Sequence, residues 1–248
     1  MRAGLSNSEL RIAGFGACMI SGYPHKAGGL FEIACGSIEK LLLRTVQSTV
    51  VSLGGFPAPR AEKYLARRVL EFNPDYVVIQ FASTDAQCPI RKANRSISTH
   101  GNLSLSKPGS DSSFQSEPST LFSPFRWGIA SLFGYLLNLD PITPLALHVA
   151  AIEKMGKDCR AAGAIPVVLS PFVYGSRYTM RNAITYTNAL QDLSEARDMI
   201  FIDCLHVLSR LPKRQVLQND GFHLSLVGHR VVGRAIARSI VADVAKRS

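Results

Sequence analysis

The sequence lacks the features that mark several common protein classes. Its 248 residues contain no Cys-x-x-Cys pair, no zinc-finger spacing and no RNA-binding motif, which argues against a nucleic-acid-binding module. No segment reaches the roughly 18 consecutive apolar residues of a membrane-spanning helix. Residues 1–11 lack the apolar core of a secretory signal. We therefore expect a cytoplasmic protein that makes no stable membrane insertion and binds no nucleic acid.

A complete dinucleotide-binding fingerprint is also missing. Gly14 and Gly16 follow the first apolar segment, but Met19 stands where the pattern needs its third glycine. The acidic residue that would bind the ribose after the second strand is absent as well. These absences exclude a dinucleotide cofactor, and we expect neither a cofactor nor a metal.

Cysteines are few, odd in number and widely spaced, which is not the pattern of a disulfide framework. Most have apolar sequence neighbours, as buried free thiols in a reducing compartment do. The five are Cys18, Cys35, Cys88, Cys159 and Cys204.

Acidic residues are scarce relative to basic ones. The chain has 28 Lys and Arg against 18 Asp and Glu, a net charge of +10. Such a balance favours anionic partners such as acidic glycans, nucleic acid or a membrane surface. The basic residues are scattered, with Arg67-Arg68 and Lys213-Arg214 the nearest to clusters, so the charge does not choose among these partners.

Apolar periodicity predicts alternating strands and helices, which is typical of an α/β fold with a five-stranded parallel sheet covered by helices on both faces, a three-layer, flavodoxin-like arrangement. The strands are predicted at Arg11–Phe15, Thr49–Leu53, Tyr76–Phe81, Ile165–Leu169 and Met199–Asp203. The helices are predicted at Leu30–Leu43, Arg60–Phe72, Leu145–Ala162, Tyr178–Arg197 and Val227–Val244.

The alternation is interrupted once, at about residues 91–143. Residues 96–119 are rich in Ser, Gly and Pro and predict a mobile loop. Residues 121–139 are apolar and aromatic, and favour equally a lid over the site and an ordinary helix packed on the core. We expect one domain over residues 1–248, with this segment as an insertion.

The most informative short motif lies near the C-terminus. Asp220 and His223 are three residues apart, and Ser225 is a candidate N-cap for the last helix. A carboxylate beside an imidazole can fix its tautomer and orientation, as in the general base of a nucleophilic hydrolase. A lone Asp-x-x-His is more often an ordinary loop, so other segments must support this interpretation.

Three further segments do so, because together with the Asp-x-x-His motif they resemble the SGNH (GDSL-type) hydrolase superfamily. Gly14–Ile20 stands where that family has a strand followed by Gly-Asp-Ser, and Ala82–Asp85 where it has Gly-x-Asn-Asp. Asp220–His223 matches the family's Asp-x-x-His block. The glycine of the second block is either Gly54 or Gly55.

The resemblance covers nearly the whole chain apart from residues 91–139, but the motifs depart from the family. Cys18 occupies the position of the nucleophilic serine, and Ala17 that of the aspartate. Ala82 replaces the block-three glycine, and Thr84 the asparagine that helps to hold the oxyanion.

What the resemblance implies is an ester hydrolase with a Cys18–His223–Asp220 triad. A thiol near an imidazole loses its proton more readily than a hydroxyl does, so cysteine is a reasonable nucleophile. Oxyanion donors would be backbone N–H groups of Cys18 and of Gly54 or Gly55, with the Thr84 hydroxyl in place of the amide.

Several of these residues have other interpretations. Cys18 could be a small buried apolar residue, and Ser21 could be the nucleophile instead. Asp85 is expected to brace its loop. His25 could line the pocket or face solvent, and His229 is expected to orient the catalytic loop.

The predicted substrate is a small-molecule or glycan ester, with acyl or acetyl groups on a carbohydrate as the class that the resemblance favours. The alternative is a catalytically inactive protein of the same fold that binds an acylated or anionic glycan. The distance between the Cys18 sulfur and His223 distinguishes the two hypotheses, since a triad needs hydrogen-bond reach. The oligomeric state is not predicted.

Overall fold

A parallel sheet forms the centre of the molecule. The computed structural model describes residues 9–25, 28–87, 136, 139–172 and 177–247. Within these ranges the strand order is β2-β1-β3-β4-β5, and each neighbouring pair is parallel. The predicted five-stranded parallel sheet is confirmed. Its strands are β1 (Glu9–Gly16), β2 (Thr45–Ser52), β3 (Tyr76–Gln80), β4 (Ile165–Leu169) and β5 (Ile200–Ile202).

The strand that differs most from its prediction is β2. It begins at Thr45 rather than Thr49 and pairs with β1 along its whole length. As an edge strand it is nowhere fully buried, so its polar first half has no apolar pattern to reveal it. By contrast β3 is buried at every position, as expected of a central parallel strand.

Helices and short helical turns connect the strands. The helices are α1 (Leu30–Leu42), α2 (Ala58–Ala61), α3 (Leu65–Arg68), α4 (Ala82–Asp85), α5 (Leu145–Ala161), α6 (Arg177–Ala196), α7 (Cys204–Ser209), α8 (Lys213–Val216) and α9 (Leu226–Arg247). Turns of 3₁₀ helix lie at Cys18–Ser21, Glu62–Tyr64 and Leu70–Phe72.

The helices form a layer on each face of the sheet, as predicted. Alternate side chains of β3 enter two separate apolar clusters. Tyr76 and Val78 pack with residues of α1 and α9, whereas Val77 and Ile79 pack with residues of α5 and α6. The layer of α1 and α9 is tight, because a Cβ added at Gly233 would lie 2.6 Å from the Leu30 carbonyl oxygen.

The prediction of one helix over Arg60–Phe72 is wrong. The segment begins at Ala58 and tightens into a 3₁₀ turn before α3. Val69 then leaves the helical region, with φ −121° and ψ −52°. Asn73 adopts a left-handed conformation, which asparagine tolerates better than most residues, and Pro74 follows it.

Short helical turns follow β1, β3 and β5 directly, and the sequence did not predict them. They are Cys18–Ser21, α4 and α7, each too short for a helical period to show. Because parallel strands end at one edge of the sheet, the first two turns place Cys18 and Thr84 at the same edge.

Most of the predicted insertion lies outside the described residues, so the lid over residues 121–139 stays a prediction. Cys88 also lies outside them. Among the helices that the structure describes, none combines the length and the apolar character needed to cross a membrane.

Candidate active site

The Asp220–His223 segment forms a compact turn that holds the imidazole in place. Oδ2 of Asp220 lies 2.5 Å from Nδ1 of His223. Oδ1 accepts hydrogen bonds from the backbone N–H groups of Phe222 and His223, both at 2.9 Å. Gly221 has φ +67°, a conformation that favours glycine. The carboxylate therefore fixes both the backbone of the turn and the ring.

The electrostatics of the pair favour the charged carboxylate. Burial disfavours ionisation of Asp220, but the hydrogen bonds from the His223 ring and from the two N–H groups outweigh it and lower the pKa of Asp220 to about 2. Burial likewise opposes protonation of His223. Its contacts with Asp220 and the Cys18 thiol outweigh burial, so the pKa of His223 is raised above its usual value.

Cys18 meets this imidazole from the other end of the chain. Its sulfur lies 3.8 Å from Nε2 of His223, within the range of a hydrogen bond to sulfur. The residue is the first of the 3₁₀ turn after β1 and is half-buried. Just before the turn the backbone runs close to β3, because a Cβ added at Gly16 would lie 2.6 Å from the Gln80 carbonyl oxygen.

The other described cysteines are unlike Cys18. Cys35, Cys159 and Cys204 are free and buried, as predicted. Burial raises the pKa of Cys35 and of Cys159 to about 12, and raises that of Cys204 as well. These thiols remain protonated at neutral pH, so the half-buried Cys18 is the better candidate for a reactive thiol.

Ser21, the alternative nucleophile, is engaged elsewhere. Its hydroxyl donates a 2.9 Å hydrogen bond to the Cys18 carbonyl oxygen, across the 3₁₀ turn. The hydroxyl therefore closes the turn that carries the thiol, whereas the Cys18 sulfur is the atom beside the imidazole.

Aromatic rings pack on the imidazole, and sequence reasoning did not single them out. The Tyr23 and His223 rings meet edge-on at 5.0 Å, and the Phe222 and His223 rings at 4.9 Å. Tyr23 is 43% exposed, so it also forms part of the surface beside the thiol. Its proximity to Cys18 in the sequence was the available signal, but a tyrosine in a Pro-containing turn does not by itself indicate a contact across the fold.

A polar bridge joins the loops that carry Cys18 and His223. Nε2 of His25 lies 2.8 Å from the Gln218 side-chain nitrogen and 3.3 Å from the Leu224 carbonyl oxygen. The Gln218 backbone N–H donates to the His223 carbonyl oxygen at 2.8 Å. His25 was expected to line the pocket or to face solvent, and it instead connects the two loops.

His229 anchors the start of α1. Its Nδ1 accepts a 3.2 Å hydrogen bond from the Leu30 N–H, and its ring meets that of His25 edge-on. Burial, with His25 nearby, lowers the pKa of His229 to about 4. The ring is therefore neutral at pH 7, and the role expected of it in orienting the Asp220–His223 loop stays a prediction.

The glycine turn after β2 lies directly against Cys18. The Cys18 N–H donates a 3.1 Å hydrogen bond to the Gly54 carbonyl oxygen, and the Leu53 N–H donates to the Gly16 carbonyl oxygen at 2.9 Å. Gly54 has φ +57°, whereas Gly55 lies outside the left-handed region. The Cys18 N–H, one of the predicted oxyanion donors, is thus bonded to the protein in this conformation.

The segment after β3 is buried and serves mainly to connect elements. Ser83 accepts a hydrogen bond from the Phe172 N–H at 3.1 Å and thereby ties α4 to the loop after β4. Thr84 is 9% exposed in the same turn, and its predicted oxyanion role stays a prediction. Asp85 accepts from the Ala58 N–H at 3.0 Å and braces its loop, as expected.

Asp85 also belongs to a second carboxylate–imidazole pair. Its Oδ2 lies 3.0 Å from Nδ1 of His148, and both side chains are completely buried. The Thr143 hydroxyl donates to Oδ1 of Asp85. Nε2 of His148 has no hydrogen-bond partner among the described residues.

No described group of three or more His, Cys, Asp and Glu side chains could hold a metal ion.

No protein-family model matches the chain, and no curated protein matches it in sequence. Solved structures match it over nearly its whole length. A lipase/acylhydrolase from Enterococcus faecalis is 18% identical with a TM-score of 0.64, covering 94% of this chain and 96% of that one. The chain shares the fold of such proteins.

Two further structures agree. An acetylxylan esterase from Geobacillus stearothermophilus is 14% identical with a TM-score of 0.63 and 94% of each chain covered. A lipolytic protein of the G-D-S-L family from Desulfitobacterium hafniense is 13% identical with a TM-score of 0.58, covering 92% of this chain and 98% of that one. The predicted resemblance is confirmed for the fold, which is what identities this low can show.

Proposed function

We propose that this protein hydrolyses an ester through a thiol triad of Cys18, His223 and Asp220. The observation that carries the proposal is an unbroken chain of contacts. The Cys18 sulfur lies 3.8 Å from Nε2 of His223, and Nδ1 of the same ring lies 2.5 Å from Asp220. A thiol, an imidazole and a carboxylate in this order are what nucleophilic catalysis requires, which supports the proposal.

The reaction would proceed through a thioester. Nε2 of His223 takes the Cys18 proton, and the sulfur attacks the ester carbonyl carbon. The tetrahedral intermediate collapses and expels the alcohol, which receives the proton from His223. Water, activated by the same imidazole, then attacks the thioester carbon, releasing the carboxylic acid and restoring the thiol. Asp220 keeps the proton on Nδ1 throughout.

Stabilisation of the oxyanion by the Cys18 N–H requires one local change of the backbone. The Cys18 N–H now donates to the Gly54 carbonyl oxygen at 3.1 Å, and it must exchange that acceptor for the substrate oxygen. Rotation of the Gly54–Gly55 peptide would remove the carbonyl and could turn the Gly55 N–H toward the same point. Such a rotation places both residues at positive φ, which glycine alone adopts freely.

The proposed substrate is an acyl ester, and acetyl esters of a carbohydrate are the first class to test. The acetylxylan esterase among the structural neighbours supports it. The lipase/acylhydrolase among them supports longer acyl chains as the second class. A series of esters that differ only in acyl length separates the two.

An inactive binding protein is the second candidate function, and the occupied Cys18 N–H favours it. If the Gly54 carbonyl never leaves, one oxyanion donor is lost, which costs on the order of 10²–10³ in rate. The same fold would then bind an acylated or anionic glycan without cleaving it.

The deciding experiment measures p-nitrophenyl ester hydrolysis by the wild type, Cys18→Ala, Cys18→Ser and His223→Ala, with iodoacetamide labelling mapped by mass spectrometry. We expect the wild type to hydrolyse the ester and both alanine variants to lose that activity. We also expect iodoacetamide to label Cys18 while Cys35, Cys159 and Cys204 stay protected. Wild-type turnover equal to that of the alanine variants across the acyl series, with Cys18 unlabelled, would overturn the thiol triad in favour of glycan binding.

A further inference from the structure

One side of α9 carries a row of exposed apolar and basic side chains. Leu226 and Val227 are 42% and 39% exposed. Arg230, Arg234 and Arg238 follow at intervals of four residues and are all exposed. With about 3.6 residues per turn, the five side chains fall within an arc of about 120° along one side of the helix. We call these five residues the α9 face.

The arginines of this face have no ion-pair partner in the part of the chain that the structure describes. No described Asp or Glu forms an ion pair with any of the three. The one acid of α9, Asp243, is bonded to the Tyr76 hydroxyl and to Arg247. Like charges four residues apart on a helix repel, so the row costs stability unless an anion binds it.

The glutamates of the adjacent helix α1 are occupied elsewhere. Glu32 accepts a hydrogen bond from the Gly28 N–H, and Glu39 accepts one from the Val46 N–H. In the opposite helical layer, by contrast, four basic residues are paired. Ion pairs there join Lys154 to Asp158, Lys157 to Glu153, Arg160 to Asp198 and Arg197 to Glu153.

The apolar end of the α9 face lies at the candidate active site. Leu226 follows His223 by three residues, and its Cδ2 atom would lie 3.7 Å from a Cβ added at Gly28, in the loop that leads away from Tyr23. A surface that bound Leu226 and Val227 would therefore face the edge of the sheet where Cys18 and His223 meet.

We propose that the α9 face docks the protein on an anionic lipid surface, with Leu226 and Val227 entering the headgroup region and the three arginines binding lipid phosphates. The charge of +10 supplies long-range attraction to such a surface. A nucleic acid would use the arginines but has no use for the exposed aliphatic pair, which is why lipid is favoured. The inference extends the proposed function, since it would bring the thiol to acyl esters held at a membrane.

The test is flotation of the full-length protein with vesicles. We expect the wild type to float with vesicles of phosphatidylglycerol and phosphatidylcholine in equal parts, but not with phosphatidylcholine alone. The triple variant Arg230→Gln, Arg234→Gln, Arg238→Gln should lower the partition coefficient roughly a hundredfold, at about 1 kcal/mol per basic residue. The double variant Leu226→Gln, Val227→Gln should lower it about tenfold.

The matched control is Lys63→Gln, Arg67→Gln, Arg68→Gln, which removes the same charge from exposed positions of the opposite layer. It should retain most of the binding. Absence of flotation, or an equal loss in this control, overturns the proposal. So does tighter binding of a duplex oligonucleotide or heparin than of vesicles at equal salt, lost in the same arginine variant.

Hydrolysis of a dissolved p-nitrophenyl ester is measured in parallel. The arginine variant and the control variant should both hydrolyse it at the wild-type rate, because neither alters a residue of the candidate active site. A protein that floats without hydrolysing would uphold the docking face and reject the esterase. A protein that hydrolyses without floating would uphold the esterase and reject the docking face.

Discussion

Two aspartate–histidine pairs in this molecule have the same chemistry and different settings. Asp220–His223 lies on a turn at the carboxyl edge of the sheet, and its Nε2 faces a half-buried thiol. Asp85–His148 is completely buried between α4 and α5, and its Nε2 faces no partner among the described residues. A carboxylate–imidazole pair thus becomes a candidate for catalysis only where a nucleophile and solvent can reach it.

The burial of the second pair gives it a structural role. Asp85 binds the Ala58 N–H, the Thr143 hydroxyl and the His148 ring, so one carboxylate ties together three segments around α4. A buried charge that is fully bonded is costly to unpair, whereas an accessible one can change its partners during a reaction. Substitutions in the buried pair should therefore lower mainly the stability, and substitutions in the accessible pair mainly the activity.

The largest effect expected is that of His223→Ala. Loss of the base should lower kcat/KM by about 10⁴-fold or more, while the free energy of unfolding changes little. His148→Ala should do the reverse, lowering stability and leaving the activity of the folded fraction near that of the wild type. Ester hydrolysis and urea unfolding of both variants measure this, and equal losses of activity would remove the contrast between the pairs.

Asp220→Asn should lower kcat by about 10³–10⁴-fold, because the imidazole loses its orienting anion. His223 must be neutral to accept the thiol proton, so activity rises with pH through its pKa, which the wild-type contacts raise. Without the carboxylate that pKa falls, and the acidic limb of the pH–rate profile should move to lower pH. An unmoved limb would show that another group controls it.

Asp85→Ala should destabilise the protein by about 3–5 kcal/mol, the usual cost of breaking a buried pair. A double-mutant cycle with His148→Ala isolates the pair, and coupling below about 0.5 kcal/mol would mean that the two residues act independently. Asp220→Ala is the comparison, since that side chain is 37% exposed and should cost much less.

His229 extends the comparison to a histidine whose pKa is lowered. Its folded pKa is about 4 against 6.5 when unfolded, so between these values the unfolded chain binds more protons and stability falls as the pH falls. The loss across this window should be on the order of 3 kcal/mol. His229→Asn, whose side-chain oxygen can accept from the Leu30 N–H, should flatten the stability profile, and an unchanged slope would assign the acid sensitivity to other groups.

The smallest effect expected is at the glycine turn. Gly55→Ala should leave the melting temperature unchanged, since Gly55 lies outside the left-handed region and a Cβ there meets nothing within 4 Å. If catalysis requires the Gly54–Gly55 peptide to rotate, the alanine resists positive φ by about 1–2 kcal/mol, and kcat should fall about tenfold. Unchanged kcat would show that the Cys18 N–H is freed in another way.

Strong local patterns explain why much of the fold was predictable. The apolar run of β3 predicts a buried strand, and every residue from Tyr76 to Gln80 is indeed buried. The observed bounds of α1 and α5 agree with their predictions to within one residue. The edge strand β2 and the broken segment at residues 58–72 were mispredicted. The first half of β2 is mostly polar and exposed, and short helical turns are too short to show a helical period.

The sequence by itself determined the alternation of strands and helices and the Asp220–His223 pair, because periodicity and a separation of three residues act locally along the chain. Only the tertiary structure decided which side chain meets that pair. Cys18 and His223 are 205 residues apart, and they meet because β1 lies inside the sheet, between β2 and β3, and ends at the edge where the Asp220–His223 turn packs. The same holds for the hydrogen bond between the Cys18 N–H and the Gly54 carbonyl oxygen and for the buried Asp85–His148 pair. Both depend on the order of the strands in the sheet, which no local sequence pattern shows.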